Sequence, residues 1–342
     1  MNKALSDKEY GLLQSLVKLS QDGLRQSMGK FLRKKYKQVV ETKDYIYAVG
    51  NIPIALVAHM DTVFKVQPQN DEIFYDKEKG VIWSSAGLGA DDRAGIFAIV
   101  QILYSQLRPS IILTTGEEKG GIGAEAFISD FKEPIQPLKY IIELDRRGAD
   151  DCVFYNCDND LFIDYVETFG FELNWGSFTD ISVICPKWGV AGVNLSVGYQ
   201  DEHSVVERLY VRHLKKTISR VINMLKLHES CEFFKYIPCK YDSLWDFAEW
   251  YTKNKDWSWV VNVDQCQCEA CKMYYDDDEV IEAISAKDPN KKVKFCIDCA
   301  ADLVEWCTEC GEAYESQSNG TGCPRCGNRG IKANSIGIQP DY

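Results

Sequence analysis

Residues 111–121 read Ile111-Ile112-Leu113-Thr114-Thr115-Gly116-Glu117-Glu118-Lys119-Gly120-Gly121. The apolar run predicts a buried strand, and it stops at two adjacent acids followed by glycines. Neighbouring side chains on an extended chain point in opposite directions. The two acids are therefore expected to face different things and to do different jobs.

The pattern continues on both sides of this stretch. Ser6 and Glu9 predict a capping box opening a helix, with Leu12, Leu13, Leu16 and Val17 on one side. Strands are predicted over 52–58, 110–115, 140–144 and 193–197, and helices over 94–106, 122–131 and 205–227. Such alternation implies an α/β fold. A three-layer sandwich with a mostly parallel central sheet and helices on both faces is expected. In open sheets of this kind ligands gather at the carboxyl ends of the strands.

The chain has 342 residues, room for one large domain and a small one. Its formal charge of -12 disfavours a phosphate-tracking nucleic-acid binder, whose affinity comes from Lys and Arg. The opening MNKALSDKEYGLLQSL has acids early and no long apolar core, so no secretory signal is expected. No stretch reaches the ~18 uncharged apolar residues of a membrane span. A cytoplasmic protein without a membrane partner is expected.

Polar residues stand where the predicted strands end. His59 and Asp61 follow the first, and Asp91 follows GLGA. Glu117 and Glu118 follow IILTTG, Asp145 follows YIIEL, and His203 follows VNLSVGYQDE. The carboxyl ends of parallel strands converge, so these groups can share a site. His, Asp and Glu suit zinc, manganese or cobalt. Two divalent ions at ~3.5–4 Å need about six ligand contacts, and a shared carboxylate can bridge them. His59, Asp91, Glu118, Asp145 and His203 supply that count if Asp91 bridges. Glu118 is then a ligand, and Glu117 a general base on metal-bound water. Asp61 is placed to orient His59. His213 and His228 fall in the long helix pattern and are expected at the surface. Each feature alone has an ordinary reading: a helix start, a cap, a surface ion pair, a surface histidine. The ordered set at strand ends points to a metal site.

The set HMDTV, GLGADDRAG, TTGEEKGGIGA, ELDRRG and GYQDEHS resembles the co-catalytic zinc exopeptidases, the clan of the M20, M28 and M42 metallopeptidases. It covers roughly residues 1–228, and the first three motifs look most like M20 enzymes such as peptidase T. The resemblance implies that His59, Asp91 and Asp145 hold one metal, and Asp91, Glu118 and His203 the other. Glu117 is then the base and Asp61 the orienting residue, with Glu143 an alternative to Asp145. Thr179-Asp180 resembles a short TD or SD segment lining the pocket in this clan. M20 enzymes carry a lid between the fourth and fifth ligands, and M42 enzymes a domain between the first and second. Here those pairs stand only 58 and 32 residues apart. The layout is that of a stripped catalytic domain, closer to M28.

Nine of the fourteen cysteines lie between Cys266 and Cys326. Clustered cysteines without a secretion signal suggest metal rather than disulfides. Cys268/Cys271, Cys296/Cys299, Cys307/Cys310 and Cys323/Cys326 are four CxxC pairs, enough for two structural zincs. Sequential pairing is the simplest; crossed pairing stays open, and Cys266 is spare or exchanges with Cys268. The second half resembles a zinc ribbon. From Cys266 to Tyr342 there are 8 Lys or Arg and 14 Asp or Glu, a balance of -6, which again disfavours phosphate. A protein partner, self-association or a substitute lid suits this tail better.

The expected organisation is a metallopeptidase catalytic domain over 1–230 and a connector over 231–265, with one helix near 243–251. A double four-cysteine zinc domain over 266–342 completes it. The expected function is a dinuclear zinc hydrolase, with manganese or cobalt as alternative ions, cleaving a terminal amide bond of a small peptide or amide. An aminopeptidase is favoured by resemblance. The alternatives are a carboxypeptidase, a deacylase, or a non-catalytic scaffold whose zinc tail binds a protein.

Overall fold

The computed structural model describes residues 4–239, 266–270, 274–275, 280–296, 299–300, 303–310, 312–316, 322–327 and 330–332. Residues 240–265, including the helix expected near 243–251, and Cys271 lie outside the described residues. Only the backbone of Cys266 lies within them. The chain divides into two compact units, residues 1–240 and 241–342.

The first unit opens with α1 (Asp7–Val17), whose Ser6–Glu9 capping box is formed, and α2 (Gln21–Arg33), capped by Ser20. Then come β1 (Val39–Glu41), β2 (Tyr45–Ala48), β3 (Ile52–His59), β4 (Ile73–Asp76) and β5 (Val81–Ser84). They are followed by α3 (Ala90–Tyr104), β6 (Pro109–Thr114), α4 (Ile122–Asp130), β7 (Tyr140–Arg146) and β8 (Asp151–Val153). The unit continues with α5 (Asp160–Glu167), β9 (Glu172–Leu173), α6 (Asp180–Trp188) and β10 (Gly192–Ser196). It closes with β11 (Tyr199–Gln200), β12 (Arg208–Tyr210) and α7 (Val211–Lys226).

Eight strands form one sheet in the order β1-β2-β6-β3-β7-β10-β8-β9. Its centre, β6-β3-β7-β10, is parallel throughout. Both faces are covered, and β3 shows how. Ile54, Leu56 and Ala58 pack in a core with residues of α1, α2, α3, α5 and α7. Ala55 and Val57 pack in a second core with residues of α4 and α6. The period-2 alternation of a doubly buried strand thus fills two apolar layers, giving the three-layer sandwich. Pairing of His59 with Thr114, and of Val57 with Glu143, brings the carboxyl ends of β3, β6 and β7 level. A second sheet, β11-β12-β5-β4, is antiparallel.

The periodicity misplaces two helix starts. α3 begins at Ala90, not Ala94. Its first turn is irregular: Asp91 and Asp92 have non-helical dihedrals and are joined by a cis peptide bond. The donors ahead of the kink are met by Glu207, more than a hundred residues away, while Asp92 caps the regular helix that follows by accepting the Gly95 N–H. The helix expected over 205–227 begins only at Val211. Arg208–Tyr210 is strand instead, because it pairs with Val81–Trp83 of β5. His213 lies in α7 and His228 just past its end, and both are half-buried rather than freely exposed.

Residues 231–239 of the expected connector pack on the first unit. Cys231 and Phe234 are buried in its core. Phe234 donates its N–H to Lys139 (2.8 Å) and accepts that of Ala191 (2.9 Å).

α3 approaches β7 closely because Gly95 has no side chain. A Cβ there would collide with the Leu144 carbonyl oxygen and the Asp92 carboxylate. Gly95→Ala is expected to destabilise the first unit by about 1–3 kcal/mol. A denaturant midpoint unchanged from wild type would refute that contact.

The second unit contains a hairpin of β13 (Cys266–Gln267) with β14 (Tyr274–Tyr275). β15 (Val280–Ile284), β16 (Lys292–Cys296), β17 (Val304–Cys307), β18 (Ala313–Glu315) and β19 (Gly330–Lys332) form a five-stranded sheet. Its order is β16-β15-β18-β17-β19. Cys268 and Cys296 are buried with Val293 and Phe295. Cys307 and Cys323 are buried with Ile284 and Tyr314. These four cysteines sit inside the small cores, whereas Cys310 and Cys326 are exposed and Cys299 is half-buried. Among the described residues no helix is long and apolar enough to cross a membrane.

Candidate metal centre

Five elements deliver the site. β3 ends on His59, and Asp61 follows. Asp91 stands in the irregular first turn of α3 and Asp145 near the end of β7. Glu117 and Glu118 lie in a short 3-10 turn, Glu117–Lys119, not on the strand. Left-handed Gly116, Gly120 and Gly121 frame it, and a Cβ on Gly121 would strike the Phe178 ring. Successive residues of a 3-10 turn point about a third of a revolution apart. The two acids therefore still diverge, for a reason other than strand alternation. His203 lies in the 201–207 loop with φ +62, as does Asp201 with φ +57.

The side chains form two groups sharing one member. His59 Nε2 lies 2.9 Å from Asp91 Oδ1 and 3.4 Å from Asp145 Oδ1. His203 Nε2 lies 3.2 Å from Asp91 Oδ2 and 3.0 Å from Glu118 Oε2. His59, Asp91 and Asp145 each offer a ligand atom within 4.8 Å of the others, as do Asp91, Glu118 and His203. Donors bound at 2.0–2.2 Å around a tetrahedral zinc stand about 3.4 Å apart, so the donor set fits such an ion. The two oxygens of Asp91 face different histidines, as a bridging carboxylate requires.

Supporting contacts orient these groups. Asp61 Oδ1 is 3.3 Å from His59 Nδ1, and Asp61 accepts the N–H groups of Glu117 and Glu118, each at 3.3 Å. One carboxylate therefore touches both His59 and the turn bearing the two acids. Asp145 accepts hydrogen bonds from the Tyr199 hydroxyl (3.0 Å) and the Thr179 hydroxyl (3.2 Å). Asn194 holds the Asp145 backbone through its N–H (2.9 Å) and C=O (2.8 Å). The buried Asp92 carboxylate accepts the His59 N–H (3.2 Å) and the Gly95 N–H (2.9 Å). The buried Arg93 guanidinium donates to the Met60 and Leu19 carbonyls. Glu143 accepts the Ile181 N–H (3.3 Å), two residues before Asp145 but not within either three-ligand group. Asp180 accepts the Thr114 hydroxyl.

Tyr199, Asn194, Glu207, Asp92 and Arg93 escape the sequence reading. Asp92 and Arg93 lie within GLGADDRAG and Tyr199 within GYQDEHS, and only their burial and contacts reveal them. Glu207, four residues after His203, had no signal.

The charge balance independently calls for cations. Burial pushes the Glu117 carboxyl up to about 9, with Asp145 next in effect. Burial and then Asp91 raise Glu118 to about 7, and burial raises Asp145 to about 6 and Asp180 to about 7. Burial opposes charge on Asp91 too, yet hydrogen bonds from His203 and His59 hold it below the usual carboxylate range. The Asp91 hydrogen bond raises His203 to about 9. One oxygen of Glu118 is buried without a hydrogen-bond partner. A buried acidic cluster with an unpaired oxygen fits divalent cations.

These shifts predict a pH dependence for metal-stripped protein. The raised carboxyls have ordinary values of 3.8–4.5. Between there and about 9 the folded state holds more protons than the unfolded chain, so stability falls as pH rises. Raised His203 acts in the same direction above 6.5. The melting temperature of chelated protein should decline from pH 5 to 9, and added Mn2+ should restore more at pH 8 than at pH 6. A chelated melting temperature that climbs across that range would contradict this account.

In the second unit Cys307, Cys310, Cys323 and Cys326 lie mutually within 4.8 Å, as do Cys268, Cys296 and Cys299. This is the sequential grouping. Cys307 and Cys326 sulfurs are 3.3 Å apart, and those of Cys310 and Cys323 3.6 Å. A tetrahedral zinc with 2.3 Å bonds sets sulfurs about 3.8 Å apart. Backbone N–H groups of Cys310 and Glu309 pull the Cys307 thiol down to about 6, favouring thiolate.

Residues 40–164 match the profile described as Peptidase family M28. No curated protein matches the chain. A tripeptidase structure from Staphylococcus aureus is 15% identical, the match covering 67% of this chain and 100% of that one, with a TM-score of 0.50. Aminopeptidase PepT from Bacillus cereus is 16% identical over 66% and 100% of the two chains, with a TM-score of 0.49. An aminopeptidase from the archaeon Desulfurococcus kamchatkensis is 13% identical over 65% and 97%, with a TM-score of 0.46. The first of these likenesses shows the fold. The family match, to M28 rather than M20 and over residues 40–164, supports a metallo-exopeptidase of the zinc exopeptidase clan.

Proposed function

We propose that this metallo-exopeptidase unit is a dinuclear, zinc-dependent aminopeptidase acting on small peptides, with Glu117 as general base. The observation that carries the reading is Asp91, whose two oxygens face the two three-ligand groups. His59 and Asp145 complete one group, and Glu118 and His203 the other. When bound, the ions supply Lewis acidity toward the attacking water and the scissile carbonyl. Glu117 accepts the proton of that water and returns it to the leaving amine. Burial raises this carboxyl to about 9 in the metal-free protein, and the charge of two bound cations would lower it toward the range a general base needs. Asp61 keeps the His59 ring and the Glu117–Glu118 turn in mutual register.

A free amino end is preferred to a free carboxylate on the state of the arginines that follow Asp145 at the end of β7. The nearby arginines are engaged: Arg146 lies 3.6 Å from Asp151 and Arg147 3.1 Å from Glu202. The four-cysteine groups of the second unit are assigned as structural zinc sites, with Cys271 completing the first, in a cytoplasmic protein.

The test is hydrolysis of di- and tripeptides with free or blocked termini, with bound metal quantified. Cleavage that requires a free amino end, with two ions in the first unit, is expected. Faster cleavage of amino-blocked peptides at a free carboxyl end would replace this reading with a carboxypeptidase, and no ions in that unit would end it.

A further inference from the structure

Glu207 is fully buried, and its carboxylate is spent on backbone. Oε2 accepts the N–H of Gly89 (2.6 Å) and of Ala90 (3.1 Å), and Oε1 accepts that of Asp91 (3.0 Å). These are charge-assisted bonds to the irregular turn that presents Asp91. Glu207 stands four residues after His203, on the same loop, and its own N–H returns to the Ser204 carbonyl (3.2 Å). At the other end of this loop the Tyr199 hydroxyl reaches Asp145. The loop needs an anchor, since Asp201 and His203 both hold left-handed dihedrals that L-residues disfavour.

We infer that Glu207 is a positioning residue for the second ion of the centre: a strut that fixes the bridging Asp91 and the terminal ligand His203 relative to each other. This rests on the dinuclear reading above. The expected effect is asymmetric. The first group's other ligands, His59 and Asp145, ride on β3 and β7 of the central sheet and do not depend on the strut. Two of the second group's three ligands, Asp91 and His203, are joined through it.

The experiment titrates Mn2+ into full-length wild type and Glu207→Gln, with the tail cysteines already holding zinc, and follows binding by electron paramagnetic resonance. Manganese prefers the carboxylate and imidazole site over thiolates. The amide of Glu207→Gln keeps the shape but turns one acceptor into a donor facing an N–H. Wild type should bind two ions and show a spin-coupled pair. The variant should keep its first ion within about twofold of wild type and lose about 10- to 100-fold in affinity for the second. Excess Mn2+ should then restore the coupled signal. Equal weakening of both ions, as a merely structural role would give, overturns the inference, and so does unchanged binding of both. If Glu207→Gln does not fold, Glu207→Asp, which keeps the charge but shortens the reach, is judged by the same criteria. Failure of wild type itself to bind two ions would instead count against the dinuclear reading.

Discussion

Replacing Glu117 by glutamine is expected to lower kcat on a free-amino dipeptide roughly 100- to 10,000-fold, with KM and bound metal nearly unchanged. The substitution keeps side-chain volume and removes the capacity to take a proton. Glu117 belongs to neither three-ligand group, so the ions should stay. Its backbone N–H, not its carboxylate, carries the bond to Asp61, so the turn should also hold. Stopped-flow or steady-state rates beside metal analysis distinguish the outcomes. A loss of metal in step with activity would make Glu117 a ligand, and a variant as fast as wild type would remove it from the reaction. The companion substitution Glu118→Gln should instead release metal, because Glu118 lies 3.0 Å from His203 within the second group.

The second large effect belongs to the tail. Cys307→Ser is expected to reduce the zinc content of the full-length protein by one ion and to open residues 304–332 to protease. Cys307 is buried beside Ile284, Tyr314 and Cys323 in a small apolar cluster. A core of that size supplies little stabilisation on its own, whereas a structural zinc contributes on the order of 10–16 kcal/mol of apparent binding energy. If the four cysteines hold zinc as proposed, removing one thiolate should remove most of what holds the β18-β17-β19 edge together. Zinc quantification and limited proteolysis report it, and unchanged zinc with unchanged protection would show that the four cysteines hold no ion.

The legibility of this chain differs from residue to residue. His59, Glu117, Glu118 and Asp145 could be picked out because each follows an apolar run that can only be a buried strand; Asp91, at the irregular start of α3, and His203, in a loop, stood out only by their motifs. Parallel order then brings such ends together. Their division into two groups around Asp91 could not be read from spacing, since it depends on which oxygen faces which ring. The alternation of Ile54, Leu56 and Ala58 against Ala55 and Val57 told that both faces of β3 are buried. It could not tell which helices cover each. The early start of α3 was hidden because Glu207, which meets the donors ahead of its kink, arrives from the far end of the unit. Arg208–Tyr210 resembled helix because strand β5, its partner, lies more than a hundred residues away.

The amino-acid sequence by itself determined the α/β alternation, the set of side chains proposed as metal ligands and the CxxC pairs. Those follow from local periodicity and from residue chemistry, which need no partner elsewhere in the chain. Only the tertiary structure decided the 3-10 turn that separates Glu117 from Glu118, the sequential grouping of the tail cysteines, and the supporting contacts of Asp61, Asn194, Tyr199 and Glu207. The reason is physical. A buried polar group must find its partner wherever the fold brings one, and the distance along the chain carries no information about where that is.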